Sequence, residues 1–532
     1  MDMLLLLAVI MIVCISAGSL SSRWGVPTLL VFMVLGMLFG SDGIFKIPFD
    51  NYVLVEQICS VALAFIMFYG GFGTNWRQAK PVAVKAIALS TVGVVVTALI
   101  TAVFCRIVLH FSVLESFLIG ATISSTDAAS VFSILRAKKL NLKNNTASLL
   151  EMESGSNDPA SYLLTLTALS MISGTAGSQL LMTMLLQVVV GLLIGFVAAG
   201  ISIWMLRKKR LTIDGYNTLF VFALVICAYV VATRLGGNGY LSVYLFGILL
   251  GNSNIINKVP LVHFFDGFTG QAQIIIFFLL GLLSHPSQLP EIMAPSVAIA
   301  LCLTLIARPV AVFGILGPMG CSVRQMLVVS FAGLRGAASI VFAIMAIVSG
   351  ASIRWDLFHI VFCVCLLSVT FQGTLLPLVS KKLDMVDDSG NVMKTFNDYQ
   401  IDQQLHLIKS RIPQEHPWVG KTIGELRLAA DALVVMIVRK KQNLVPRGDT
   451  IIMADDILVF GGEPYWDEHA PALEELRLDF QHPWVGQQIK ALPLSETELV
   501  VLIQHANGTT AIPKGNTVLR NGDTLVIRKI KI

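Results

Sequence analysis

Residues 149–164 read LLEMESGSNDPASYLL, and residues 121–136 read ATISSTDAASVFSILR. Both stretches are apolar enough to lie in a membrane, yet each is polar in its middle. Ionisable groups inside a bilayer are costly, so they mark functional positions unless they snorkel at helix ends or pair only to hold helices together. On a helix turning about 100° per residue, Ser154 and Asp158 share one face and Glu153 and Asn157 form the adjacent stripe. Glu153 and Asp158 diverge by about 140° on the same geometry, which calls for different partners. Pro159 removes a backbone donor beside Asp158 and is expected to open the helix there. A poorly solvated carboxylate favours a neutralising occupant, so a proton and a metal cation compete for Asp158. In the other stretch, Ser124, Ser125 and Thr126 precede Asp127. Such side chains satisfy backbone groups where a membrane helix unwinds, which is tolerated only around a protein-lined or aqueous cavity. The plainer alternative is a polar contact between helices.

The rest of the chain supports a bilayer setting. Of 532 residues, 55% are hydrophobic and 13% charged, with a mean hydropathy of +0.76, far from the balance of a soluble globular protein. Residues 1–380 carry 20 Lys+Arg and 13 Asp+Glu, against 18 and 20 in residues 381–532. The net charge of +5 therefore arises in the apolar part and gives no reason to invoke a nucleic-acid partner. Thirteen apolar windows suit membrane helices: 3–21, 27–41, 53–72, 83–108, 114–136, 147–173, 179–206, 215–234, 239–252, 261–284, 293–317, 325–349 and 356–380. With the N-terminus outside, alternate loops divide 16 inner against 4 outer Lys and Arg, which orients the chain and puts its tail in the cytoplasm. All eight cysteines precede residue 381 in apolar surroundings, without the spacing of a disulfide or metal site.

Two deep arginines complete the polar set, Arg308 before Pro309 and Arg335 within FAGLRGAASIV (331–341). Each needs a buried anion or carbonyls, and Glu153 is the natural partner for one of them. Glu56 and Arg106 lie toward span ends, where an interfacial position accounts for them. Asp266, near Gln271 and Gln273, fits either a cavity wall or an interface. Glycines around Arg335 permit a second broken helix. Spans five and twelve are seven apart, so they cross in opposite directions, the arrangement of an inverted repeat with crossed broken helices. The fold class is thus an α-helical polytopic membrane protein of about 13 helices, plus a cytoplasmic α+β tail. No nucleotide, haem, zinc or selectivity-filter motif is present.

The tail repeats itself: HPWVG begins at His416 and again at His482, each followed by a short helix-like stretch and β-branched runs separated by turns. The expected division is a membrane domain over 1–380, a linker over 381–415, and two units over 416–475 and 476–532.

At STD (125–127), ESGSNDPAS (153–161) and GLRG (333–336) the chain resembles the monovalent cation/proton antiporters, in the branch holding Na+/H+ exchangers and bacterial K+/H+ antiporters. The resemblance implies a homodimeric secondary transporter without a cofactor, rather than an enzyme. In it Asp158 carries the proton or the metal cation, with Asn157, Thr126, Asp127 and Ser154 as further site groups. Glu153 and Arg308 form a structural ion pair, and Arg335 belongs to the crossover. With Asn157 beside one acid, both loaded states are neutral, so exchange is expected to be one-for-one and electroneutral.

The tail resembles the C-terminal domain of TrkA-type potassium-transport subunits, in two copies, which tilts the cation toward K+ over Na+ and implies a regulatory ligand, cyclic di-AMP being one precedent. No glycine-rich dinucleotide motif precedes it, which speaks against NAD sensing. An anionic ligand would find Arg439, Lys440, Lys441 and Arg447, which otherwise form a solvated basic turn. The setting is a cytoplasmic membrane, with lipid around the spans. The competing readings are a Na+-selective antiporter, a ligand-gated cation channel and a membrane-anchored sensor.

Overall fold

A computed structural model describes residues 2–24, 27–127, 130–131, 134–135, 140–175, 177–207, 215–255, 258–351, 353–387, 406–426, 428, 433–439, 442–462, 473–480, 482–495, 498–505, 510–511 and 513–529. The chain forms two compact units, Met1–Ile401 and Asp402–Ile532.

The first unit is helical. Its elements are α1 (Asp2–Trp24), α2 (Thr28–Phe39), α3 (Tyr52–Gly73), α4 (Lys80–Ile107), α5 (Val113–Thr122), α6 (Thr146–Ile172), α7 (Gly177–Arg207), α8 (Tyr216–Arg234), α9 (Gly239–Gly251), α10 (Lys258–Leu283), α11 (Pro286–Leu316), α12 (Val323–Phe331), α13 (Ala337–Val348) and α14 (Leu357–Lys382). Among the described residues, seven of them (α3, α4, α7, α8, α10, α11 and α14) are long and apolar enough to cross a membrane. Length alone misses others because α2 and α9 are short and because two spans are interrupted in the middle.

Packing separates two groups of helices. One holds α1–α3 with α7–α10, and the other holds α4–α6 with α11–α14. Close approach in the first group depends on small residues: a Cβ added at Gly247 would lie 2.1 Å from the Phe68 carbonyl oxygen, and one at Gly71 would lie 2.3 Å from that of Tyr244. Without those glycines α3 and α9 could not touch backbone to backbone, which is how membrane helices gain packing where lipid removes the hydrophobic drive.

The second group carries the interruptions. α5 opens on a capping box, Ser112 with Glu115, and stops at Thr122, after which residues 124–127 leave the helix. α12 stops at Phe331, and α13 starts only at Ala337. Single π turns at Leu89–Gly93, Leu303–Ala307 and Ser368–Gln372 add an extra residue to α4, α11 and α14 around the same region, the usual company of a functional site. α6, by contrast, runs unbroken through Pro159. The expectation that this proline opens the helix is corrected: α6 continues from Thr146 to Ile172 with Pro159 inside it, and Asn238 Nδ2 donates to the Pro159 carbonyl at 2.9 Å.

The second unit contains two four-stranded sheets. Strands β1 (His406–Arg411), β2 (Leu433–Arg439), β3 (Gln442–Leu444) and β4 (Ile457–Gly462) are ordered β1-β4-β2-β3. β5 (Leu473–Arg477), β6 (Glu498–Gln504), β7 (Thr510–Ala511) and β8 (Thr524–Lys529) repeat that order as β5-β8-β6-β7. β1 falls inside 381–415, the stretch expected as linker, and pairs antiparallel with β4. Its two apolar residues, Leu407 and Ile408, are too few to stand out from polar surroundings. Among the described residues, the helix-like stretch after each HPWVG is a single 3-10 turn, Ile423–Glu425 or Ile489–Ala491.

Candidate functional site

The two interruptions meet. The Asp127 backbone N–H donates to the Leu334 carbonyl at 2.9 Å, joining the broken stretch after α5 to the one before α13. Helix ends broken inside a membrane carry partial charges, negative at C-termini and positive at N-termini. Arg335 answers the negative end: its Nη1 donates to the carbonyls of Ser124 and Ser125 at 2.7 and 2.6 Å. Asp127 answers the positive end, accepting the Ser130 N–H at 3.3 Å and the Ser130 hydroxyl where the helix resumes. The Arg335 N–H is itself held by Ser368 Oγ at 3.0 Å, from the π turn of α14.

Gly336 fits this crossing because it has no side chain. A Cβ there would stand 2.2 Å from Asp127 Oδ2. Gly336→Ala should therefore push the two broken segments apart and cost about 1–3 kcal/mol, the usual range for overpacking; a thermal-unfolding shift together with loss of cation-dependent proton flux in vesicles checks it.

α6 lies against the crossing and presents three sequence-identified groups to it, Ser154, Asn157 and Asp158. Asp158 is 5% exposed and Asn157 is fully buried. Asp158 Oδ1 accepts the Ser125 hydroxyl. Thr126 Oγ1 and Ser154 Oγ are 2.9 Å apart, and Asn157 Nδ2 donates to Thr126 Oγ1. Glu153 points elsewhere, to Arg308: its Oε1 and Oε2 stand 2.6 and 2.8 Å from Arg308 Nη2, with both side chains buried. Asp158, Thr126, Asp127 and Ser154 border a cavity of about 320 Å³, which also reaches Glu151, Gly155, Tyr69, Asp266, Thr269 and Gln273. Asp266 thus belongs to a cavity wall, where it accepts the Tyr69 hydroxyl at 2.9 Å.

The cavity occupies the half of the unit where α3 ends and where α6 and α10 begin. On the other side of Asp158, one helical turn on, Tyr162 packs against Tyr240 and Phe342 with ring centroids 5.0 and 5.7 Å away. Chemically, the buried Asp158 carboxylate sits among hydroxyl and amide oxygens on a cavity that Asp127, Glu151 and Asp266 also border, with aromatic rings on its other side. Hard oxygen donors of this kind suit an alkali cation or a proton and no softer metal.

Three contributors were not singled out in the sequence. Ser125 was noted only as part of a polar run, since an unwound backbone has no fixed period from which to tell which hydroxyl faces Asp158. Glu151 lies three and seven residues before Ser154 and Asp158, a spacing that would have placed it on their stripe. Ser368 sits in a π turn, which no simple periodicity announces.

In the tail, Arg439 is committed to a neighbour. Its Nε and Nη2 donate to the buried Asp456 at 2.9 and 2.7 Å, and Nη2 also donates to the Ile451 carbonyl. Burial pushes the Asp456 carboxyl up, but hydrogen bonds from Arg439 and the Met453 N–H outweigh it and hold the group below the usual carboxylate range. Arg439, expected with Lys440, Lys441 and Arg447 to meet any anionic ligand, is thus engaged by Asp456 in this structure. Arg447 N–H bonds Thr450 Oγ1 within a turn; Lys440 and Lys441 lie outside the described residues.

The family profile described as sodium/hydrogen exchanger, transmembrane, matches residues 7–382, and the one described as TrkA-C domain matches residues 407–464 and 473–528. The K(+)/H(+) antiporter NhaP of Alkalimonas amylolytica is 32% identical over 462 residues, covering 86% of this chain and 80% of its own. The K(+)/H(+) antiporter NhaP2 of Shewanella oneidensis is 30% identical over 502 residues, covering 92% and 87%. The solved structure of the sodium proton antiporter MjNhaP1 from Methanocaldococcus jannaschii superposes with a TM-score of 0.63 at 22% identity, over 72% of this chain and 99% of that one, a likeness of fold.

Proposed function

Because the chain belongs to the sodium/hydrogen exchanger family and is a cation/proton antiporter, we propose that it exchanges one K+ for one H+ across a cytoplasmic membrane, with Asp158 as the group that carries either. The observation that carries this reading is the placement of Asp158, buried on the cavity wall beside the Ser125 hydroxyl with the Tyr162 and Tyr240 rings one helical turn away on its other side. Asp158 crosses as the protonated acid or with a bound cation, and both forms are neutral, which makes a one-for-one, electroneutral cycle. In the cation-loaded form the hydroxyl oxygens of Ser125, Thr126 and Ser154 and the amide oxygen of Asn157 turn their lone pairs toward the ion in place of water. Asp127 stays charged as the cap of a half-helix, and Glu153 with Arg308 braces α6 against α11.

Loop charge assigns the cavity end to the cytoplasm, so this form faces inward. Relative motion of the two helix groups then parts the aromatic cover and closes the cavity, giving alternating access. The choice of K+ follows the names of the relatives and the kinship of the tail, with Na+ as the alternative. The same reading has two copies associating in the membrane and the cytoplasmic tail biasing the cycle through a small ligand such as cyclic di-AMP, by no more than the ligand's differential affinity for the two states.

The test is dye-monitored pH in everted vesicles. Adding K+ should dissipate the proton gradient, Na+ should do so less, and clamping the membrane potential should leave the K+ rate unchanged. A rate that follows the membrane potential would overturn the electroneutral cycle, and no response to either cation would overturn antiport.

A further inference from the structure

Pro159 stands beside Asp158, and the exchange described so far makes no use of it. α6 stays helical from Thr146 to Ile172 with this proline inside it. In an α-helix each carbonyl accepts the N–H of the residue four positions on, so the Gly155 carbonyl would accept from position 159. Proline has no N–H to give. The helix continues, but one carbonyl in the turn that leads to Asp158 loses its ladder partner.

The surroundings of that carbonyl are those of the ion site. Gly155 borders the same cavity as Ser154 and Asp158. Side chains on a helix lean toward its N-terminus, so the Asp158 carboxylate lies over the turn that holds Ser154 and Gly155. Gly155 brings no side chain to cover the oxygen, and none would fit: an added Cβ would stand 2.9 Å from Tyr244 Cε2 and 3.1 Å from its Oη. The proline is itself anchored, since Asn238 Nδ2 donates to the Pro159 carbonyl at 2.9 Å, while Asn238 Oδ1 caps α9 by accepting the Leu241 N–H at 3.0 Å.

We propose that Pro159 is a positioning residue for the transported cation: by withholding an N–H it leaves the Gly155 carbonyl as one more oxygen ligand beside Asp158. Backbone carbonyls freed from a helix ladder coordinate alkali ions at transporter sites, and rings of them replace the hydration shell of K+ in channel filters. The inference rests on the reading of Asp158 as the group that carries the cation. To the hydroxyl and amide oxygens of that reading it adds one ligand and the residue that frees it. Pro159→Ala restores the N–H, which takes one of the two lone pairs of the Gly155 oxygen and leaves less of its dipole for the ion. A neutral group bonded to a charged partner is worth about tenfold in affinity, so the variant should bind the cation several-fold to about tenfold more weakly.

The experiment titrates KCl against the thermal unfolding of the purified full-length chain, at constant ionic strength and a fixed alkaline pH where the proton competes least. Binding of K+ to the folded form raises the Tm, and in Pro159→Ala the rise should need several-fold to about tenfold more K+. Without K+ the Tm of this variant should hold or increase, because the helix regains a bond. Pro159→Gly restores the same N–H without a side chain and should show the same shift in K+ from a lower starting Tm. In vesicles the KM for K+ should rise in both while the maximal rate is kept, the mark of lost ground-state binding. NaCl in place of KCl reads the alternative cation in the same way. An unmoved K+ midpoint in folded Pro159→Ala would overturn the inference. So would a shift in the alanine variant that the glycine variant lacks, since the cause would then be packing, and so would failure of both to fold, since the proline would then be holding the helix. Asp158→Asn should lose the K+ effect altogether; if it keeps it, the reading of Asp158 fails, whereas an effect lost there and unmoved in Pro159→Ala fails this inference alone.

Discussion

Asp158→Asn should reduce cation-dependent proton flux to the background of empty vesicles while the protein still folds. The amide has nearly the shape of the acid, and its oxygen can go on accepting the Ser125 hydroxyl that Asp158 now accepts. What it lacks is any charge to trade: it can neither release a proton in the working pH range nor pull a cation out of water. Replacing a buried carboxylate with its amide removes a desolvated charge from the interior, so stability should hold or rise. The paired measurement is dye-monitored flux in reconstituted vesicles with a thermal-unfolding curve of the same preparation. Flux that survives in a folded variant would move the carrier role to another acid on the cavity wall, with Glu151 and Asp266 the nearest in kind. Loss of both flux and folding would mean that the charge itself holds α6 in place.

How much of this was legible in the sequence depends on the range of the interaction. Local composition was enough for the membrane class and for the two interruptions, because Ser124 to Asp127 and Gly333 to Gly336 put polar or side-chain-free residues where lipid would demand apolar ones. Helical spacing also separated Glu153 from Asp158, since five residues turn a helix through a fixed angle. Contacts made across the fold were not legible. Asp266 looked equally suited to a wall or an interface until α10 was set against α3 and its carboxylate met Tyr69. Arg439 looked like part of a basic surface, and only the sheet brings Asp456 beneath it. Pro159 misled for the opposite reason: its missing donor is a local cost, but α6 continues through it.

Glu153→Ala and Arg308→Ala should each destabilise the membrane unit by about 3–5 kcal/mol, the range for leaving one partner of a buried ion pair alone. The burial is nearly complete on both sides, with side-chain exposures of 0% and 3%. Neither survivor has an easy substitute. Without Glu153, Arg308 would remain pressed against Gly333, where an added Cβ would come within 2.8 Å of its Nε, and Arg335 nearby adds a second positive charge. Without Arg308, the Glu153 carboxylate would be stranded in a helix interior. Removing both charges relieves each mutant of its orphan, so the double variant should be less damaged than the sum of the two by on the order of 2 kcal/mol. A thermal or denaturant double-mutant cycle on the purified full-length protein measures that coupling. An additive result would mean that each side chain is costly to lose for its packing alone, and that the charge pairing of α6 with α11 contributes nothing net. A coupling of the expected size would mean that the two helices flanking the crossing are fixed to each other by charge, leaving Asp158, five residues further along α6, free of that duty and able to change its own charge without loosening the helix that carries it.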